Sequence, residues 1–163
     1  MFGTRICPPR FPYPSSRRAR VILRRQRIGR RAGLLRRQKK CPALHRADDG
    51  ELLGLMSYEL DQGALAVEII YIESAAHSNA NLLRATGQSK KYIGIARALI
   101  TYAAKASVEA GFDGVLFFKA KTDELRKYYM QEFGAMPVGH YDPYRLVIWE
   151  DAAANILSDF EEV

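Results

Sequence analysis

The sequence predicts a mixed α/β domain, a mostly antiparallel sheet with helices packed on it. Three observations lead there. Two apolar segments are separated by a short polar turn, the apolar period then changes from two to that of a helix, and strands and helices alternate to the end of the chain. The expected order is strand, strand, long loop, helix, strand, helix, strand, helix.

Glu51–Leu60 and Ala64–Ser74 are the first two strands, and Asp61-Gln62-Gly63 turns between them, so they form an antiparallel hairpin. The second strand is nearly all apolar, which suggests a central strand covered on both faces. Glu68 and Glu73 interrupt it, and their spacing of five places them on opposite faces of a regular strand. Residues 75–92 are polar and read as a long exposed loop, a length that is often functional.

From Gly94 to Ala110 the period is helical. Ile95, Leu99, Tyr102, Ala103 and Ala106 form the apolar stripe, with Arg97, Thr101 and Lys105 on the other side. Gly111 closes this helix. Val115–Phe118 is a buried strand. Thr122 caps a second helix whose inner face carries Leu125, Tyr128, Tyr129 and Phe133, and Gly134 ends it. Tyr144–Trp149 is the last strand and Asp151–Phe160 a short terminal helix. Trp149 and the phenylalanines read as core, and Lys119 and Lys121 as solvated strand ends.

Charge divides the 163 residues in two. Residues 1–47 carry 13 Arg, 2 Lys and no acid, and residues 48–163 have a net charge of −8. The boundary is therefore placed at 47/48, between a basic Arg/Pro-rich arm and an acidic globular domain. An arm of this density has poor order in isolation. Its composition suits a nucleic-acid or acidic-membrane contact through residues 17–40. A transit peptide is disfavoured by four early prolines, and a signal peptide by the missing apolar region. The abrupt onset of acids at Asp48 also fits a stretch translated from outside the true start or frame. No apolar run approaches the ~20 residues of a membrane span. Two separated cysteines and three scattered histidines argue against a metal site.

Lys91-Tyr92-Ile93-Gly94-Ile95-Ala96-Arg97 is the segment with the most chemistry in it. A glycine and a small residue open a helix directly after a basic loop. The first N–H groups of a helix lack partners and attract anions, and a glycine lets a phosphate approach the backbone. On these residues, residues 52–149 resemble the GNAT acyltransferase superfamily. The similarity includes the strand Val67–Tyr71, the strand Val115–Phe118, and the helix ending Tyr128-Tyr129-Met130-Gln131-Glu132-Phe133-Gly134. Lys91 stands where the family's pyrophosphate motif has Gln or Arg.

The resemblance implies a GNAT-like fold whose N-terminal part is missing or replaced. It also implies an N-acyltransferase that takes acetyl-coenzyme A as acyl donor and an unidentified amine as acceptor; the alternative is a catalytically inactive GNAT-like protein or a nucleic-acid-binding protein that uses the basic arm. Glu68 is the first candidate for the general base and Glu73 the second. Tyr129 is the candidate acid for the departing thiolate, with Tyr128 as fallback. The coenzyme would be held by Tyr71, Ile72, Glu73, Lys91, Gly94, Ile95, Ala96 and Arg97. A cytoplasmic bacterial protein is the implied setting, with a homodimer as one state.

Overall fold

The computed structural model describes residues 21–25 and 39–161. Seven strands form one sheet: β1 Val21–Arg25, β2 Pro42–Arg46, β3 Leu52–Asp61, β4 Ala66–Ser74, β5 Leu116–Lys119, β6 Met136–Pro137 and β7 Arg145–Ile148. Their order across the sheet is β1-β2-β3-β4-β5-β7-β6. Only β4 and β5 run parallel; every other neighbouring pair is antiparallel. The helices are α1 Ala80–Arg84, α2 Ile95–Glu109, α3 Asp123–Phe133 and α4 Glu150–Glu161, with a 3₁₀ turn at Ala76–Ser78. This is the mixed, mostly antiparallel sheet that the sequence predicts.

The sheet extends past the expected boundary at 48. β2 lies inside the stretch assigned to the arm, yet Ala43 and Leu44 are each only 1% exposed, and Leu44 joins the main core. β1 pairs with β2 from Val21↔Arg46 to Arg25↔Pro42. The arginines around Pro42-Ala43-Leu44 set the charge of the region and concealed a short apolar strand. The nucleic-acid assignment to 17–40 falls mostly outside the described residues.

The hairpin forms for the reason its turn suggests. The Asp61 carboxylate accepts hydrogen bonds from Gly63 N–H at 2.9 Å and Ala64 N–H at 3.1 Å. Leu65 has φ +47°, so β4 starts at Ala66, two residues later than expected. Past the turn the β3–β4 ladder is not regular. Tyr58 faces Ile69 and Ser57 faces Tyr71, so Ile70 is an extra residue on β4, a β-bulge. Glu68 lies opposite Glu59, and Glu73 opposite Leu55. Directly opposed residues share a face, so the bulge puts Glu68 and Glu73 on the same face, which corrects the expectation for a regular strand.

Ile95, Leu99 and Ala103 of α2 pack with Val67, Ile69, Leu116, Phe118, Leu146 and Ile148 in one core, closed by Tyr129 and Phe133 of α3 and Ala153 and Ile156 of α4. Gly54 of β3 makes the α2 contact possible. A Cβ there would stand 2.8 Å from Ile95 Cγ2 and 2.9 Å from the Glu73 carbonyl.

The expected polar side of α2 is also partly buried: Thr101 is 1% exposed and donates to the Arg97 carbonyl at 2.9 Å. The reason is α4, which packs against α2 and gives the helix a second covered side. Trp149 is 45% exposed rather than core, with Phe117 edge-on to it at 6.3 Å between ring centroids. β4 is not covered on both faces either, since Ile70 and Tyr71 are exposed. Among the described residues no helix is long and apolar enough to cross a membrane.

Candidate active site

The β4–β5 ladder pairs Val67, Ile69 and the residue between them with Leu116–Phe118 and then stops, while β4 continues to Ser74. Beyond Ile69, no strand among the described residues pairs with β4 on its β5 side. Ile69, Ile70, Tyr71, Ile72, Phe118, Lys119, Lys121, Leu125 and Tyr129 line the slot that opens there, about 40 Å³ in volume. The bulge at Ile70 stands at the point where the strands part. A bulge bends its strand and breaks the ladder locally, which gives this position its physical cause.

Tyr129 reaches the slot from α3. Thr122 caps that helix by accepting from Leu125 N–H at 3.2 Å, and Gly134 ends it at φ +63°. The Tyr129 ring packs against Phe118 with centroids 5.0 Å apart, and it also touches Tyr128 and Phe133. Burial, with a smaller push from Tyr128, raises the phenol to about 12. It stays protonated at neutral pH, as a phenol at its ordinary value of 10 does, and burial makes it a weaker acid than a free phenol. Tyr128 is 38% exposed and does not line the slot.

Lys119 and Lys121 line the slot as well, which the sequence did not indicate. The Lys121 ammonium lies 4.7 Å from the centre of the Tyr71 ring, so it lies across the gap between the two strands. Lys119 is tied to Asp142 at 2.7 Å. A basic residue just after a strand and an aromatic on its neighbour is the only signal in the sequence, and it is visible only once the pairing is known.

Gly94, Ile95, Ala96 and Arg97 stand at the start of α2. α2 starts at Ile95, and Gly94 before it has φ +81°, no side-chain cap and open space within 4 Å of where a Cβ would stand. Because Ile95 packs on Gly54, which faces Ser74, the start of α2 lies at the same end of β4 as the slot. Arg97 is engaged by Asp159 at 3.3 Å and Glu132 at 3.6 Å, and it lies over the Phe133 ring.

Glu73 accepts from Asn79 Nδ2 at 3.3 Å. Glu68 lies elsewhere, in a shallow dip of about 210 Å³ lined by Asp61, Ala64, Glu68, Phe117 and Arg145. That dip is larger than the slot, but it is an open surface depression without a strand gap, and the slot is the better candidate for an extended ligand. The structure thus joins Tyr71, Ile72 and Tyr129 in one cavity and leaves Glu68 and Glu73 outside it.

A polar cluster fixes the loop before α2. Glu51 accepts from Lys91 at 2.6 Å and from the Tyr92 hydroxyl at 2.7 Å. Arg46 donates to Tyr92 Oη at 3.0 Å and pairs with Asp49 at 2.7 Å. His77 Nε2 stands 3.5 Å from Glu51, and Ser78 Oγ accepts from Tyr92 N–H at 3.1 Å. The loop read as 75–92 is therefore partly ordered, with the 3₁₀ turn and α1 inside it.

The Lys91 and Tyr92 hydrogen bonds hold the Glu51 carboxyl below its usual value of 4.5. A lowered carboxylate adds stability above its unfolded pKa and loses it as pH falls through the folded one. Melting temperature should therefore drop more steeply below about pH 4.5 in the native protein than in Glu51→Gln. Equal slopes would show that the cluster adds nothing.

No family model matches the chain, and no curated protein does. Solved structures do. The chain is similar to the structure of the AtaT–AtaR complex bound to DNA, at 14% identity over 71% of this chain and 72% of that one, with a TM-score of 0.49. It is similar to Tetrahymena GCN5 at 13% identity over 71% of each chain, TM-score 0.47. A GNAT-family acetyltransferase from Listeria monocytogenes 4b F2365 matches at 13% identity over 66% of this chain and 62% of that one, TM-score 0.46. Likeness at this level assigns neither activity nor substrate to this chain.

Proposed function

We propose that the protein is an N-acyltransferase that moves an acetyl group from acetyl-coenzyme A to an amine by direct attack. The observation that carries this reading is the slot between the parted parallel strands β4 and β5, with a protonated Tyr129 in its wall. An amide-bearing chain laid along β4 would find backbone groups that no β5 residue pairs. N–H groups around Tyr71–Glu73 would meet the thioester oxygen as charge develops on it.

The space beside Gly94 supports a phosphate at the start of α2, where the N–H groups of Ile95, Ala96 and Arg97 have no side-chain cap. Lys91 would exchange Glu51 for that phosphate. Acetyl-coenzyme A would supply the activated acyl group and leave as the free thiol. The chain's own residues orient it, exclude water and move protons.

An attacking alkylamine has a pKa near about 10.4 and must lose a proton. Glu68 would take it through water from its own face of the sheet, with Glu73 as the second choice. Tyr129 would protonate the departing thiolate.

Calorimetric titration with acetyl-coenzyme A, followed by thiol release in the presence of small amines, tests the reading. Saturable binding and acceptor-dependent thiol release are expected, and absence of binding overturns it. Gly94→Val would fill the open space and force a β-branched residue to φ +81°. It should weaken coenzyme binding by more than about tenfold, roughly 1.4 kcal/mol. Equal affinity would remove the phosphate from this position.

A further inference from the structure

The two lysines that line the slot differ in what holds them. Lys119 is paired with Asp142 at 2.7 Å. Lys121 forms no ion pair among the described residues, and its ammonium stands 4.7 Å from the centre of the Tyr71 ring. The backbone on either side of it is fixed. Ala120 is 2% exposed and donates to the Tyr144 carbonyl at 2.9 Å, and Thr122 caps α3. The aromatic face attracts the ammonium without using its N–H donors, so the cation is held in place and open to an anionic partner.

The face of the sheet on which Tyr71 stands decides which reactant it meets. Ile69 and Phe118 belong to the core that α2, α3 and α4 close, which defines the helical face. Along β4, Glu68 lies opposite Glu59, Tyr71 opposite Ser57 and Glu73 opposite Leu55. These β3 partners are two residues apart, so Glu68, Tyr71 and Glu73 share the other face. Tyr129 and the start of α2, assigned above to the donor's thiolate and phosphate, belong to the helical face. The acceptor then enters from the face of Tyr71.

On that face Tyr71 carries a cation over its ring and stands between the two candidate bases. Residues two apart on a strand are about 7 Å apart. Tyr71, with its lysine, and Glu73 thus offer a positive and a negative group at a separation that suits a small molecule carrying both an ammonium and a carboxylate, with one hydrogen bond at each end. A simple alkylamine would leave Lys121 unused.

We propose that the acceptor is an α-amino acid, its carboxylate paired with the Lys121 ammonium beside Tyr71 and its amine turned toward Glu68 or Glu73. This rests on the acyltransferase reading and names its acceptor. In the transfer the amine nitrogen bonds to the acyl carbon and the carbon–sulfur bond breaks, its electron pair leaving on sulfur. The amine's proton passes to a glutamate, and the thiolate takes one from Tyr129. The carboxylate on Lys121 changes neither charge nor bonding, so Lys121 sets specificity and takes no part in the chemistry.

Thiol release by the full chain from acetyl-coenzyme A, with the common α-amino acids and with their carboxamides as acceptors, tests the inference in Lys121→Gln and Lys121→Arg. Comparing each acid-to-amide ratio between native and variant protein cancels the different reactivity of the two amines. Lys121→Gln should lower kcat/KM for the preferred amino acid by about tenfold or more, through KM, and leave its amide unchanged. Lys121→Arg should keep most of the preference, and salt should weaken it. Because the Lys121 side chain is exposed, melting temperature should stay close to native. Succinyl-coenzyme A with an amide acceptor separates the other source of a carboxylate: a loss in Lys121→Gln confined to that donor assigns Lys121 to the acyl group and overturns the proposal. Acids and amides weakened alike, or both unchanged, overturn it too. So does native protein that binds acetyl-coenzyme A and releases no thiol with any α-amino acid, and these outcomes spare the acyltransferase reading. Native protein that does not bind acetyl-coenzyme A overturns both.

Discussion

Replacing Tyr129 with phenylalanine is expected to lower the rate of acyl transfer by about 10²–10⁴-fold, the usual loss for a general acid. Coenzyme affinity and thermal stability should stay close to those of the native protein. The ring makes the packing contacts, with Phe118, Tyr128 and Phe133, and phenylalanine keeps all of them. Only the hydroxyl is lost. Tyr128→Phe is the control: its ring is outside the slot, and a helix turns about 100° per residue. Thiol release measured in single turnover, together with calorimetric affinity, separates chemistry from binding. Full activity in Tyr129→Phe would make the tyrosine a core residue and leave the thiolate to water.

Leu44→Ala should destabilise the protein by about 2–5 kcal/mol, the range for truncating a buried leucine. Leu44 is 1% exposed, it faces Gly54, and it joins the core that α2 closes. Urea unfolding monitored by far-UV circular dichroism gives the number directly. An unchanged midpoint would restore the boundary at 48 that charge alone suggests and make β2 an ornament of the sheet. The expected loss makes residues 42–46 part of the folding unit.

Where local chemistry decides an element, its residues announce it. Asp61 and Gly63 mark the hairpin turn, and Thr122 and Gly134 mark both ends of α3. Gly94, at φ +81°, marks the start of α2. What the sequence hides is decided by partners far along the chain. The burial of Thr101 depends on α4, and nothing within a turn of Thr101 encodes that helix. Trp149 is exposed beside Phe117, and no residue near it in the sequence sets that. The charge around β2 points to an arm, whereas the burial of Ala43 and Leu44 makes it a strand of the sheet. Of the candidate site, Tyr129 follows from helical spacing and the resemblance, whereas Lys121 could be found only after β4 and β5 were seen to part. The shared face of Glu68 and Glu73 depends on a bulge, and alternation in the sequence cannot place one.

That bulge makes a deletion at codon 70 unlike a deletion at its neighbours. Ile70 is the residue of β4 that no β3 residue faces, since Ser57 faces Tyr71 and Tyr58 faces Ile69. Removing it leaves Tyr71 directly after Ile69, so the ladder becomes regular and Ile72 and Glu73 keep their faces. Removing Ile72 instead takes away a residue packed against the core and turns Glu73 to the opposite side of the sheet. In a library of single-residue deletions, position 70 should keep the fold where position 72 loses it. What the extra residue supplies is the bend at the parting of the strands and part of the wall of the slot, so its loss belongs to ligand binding and not to folding.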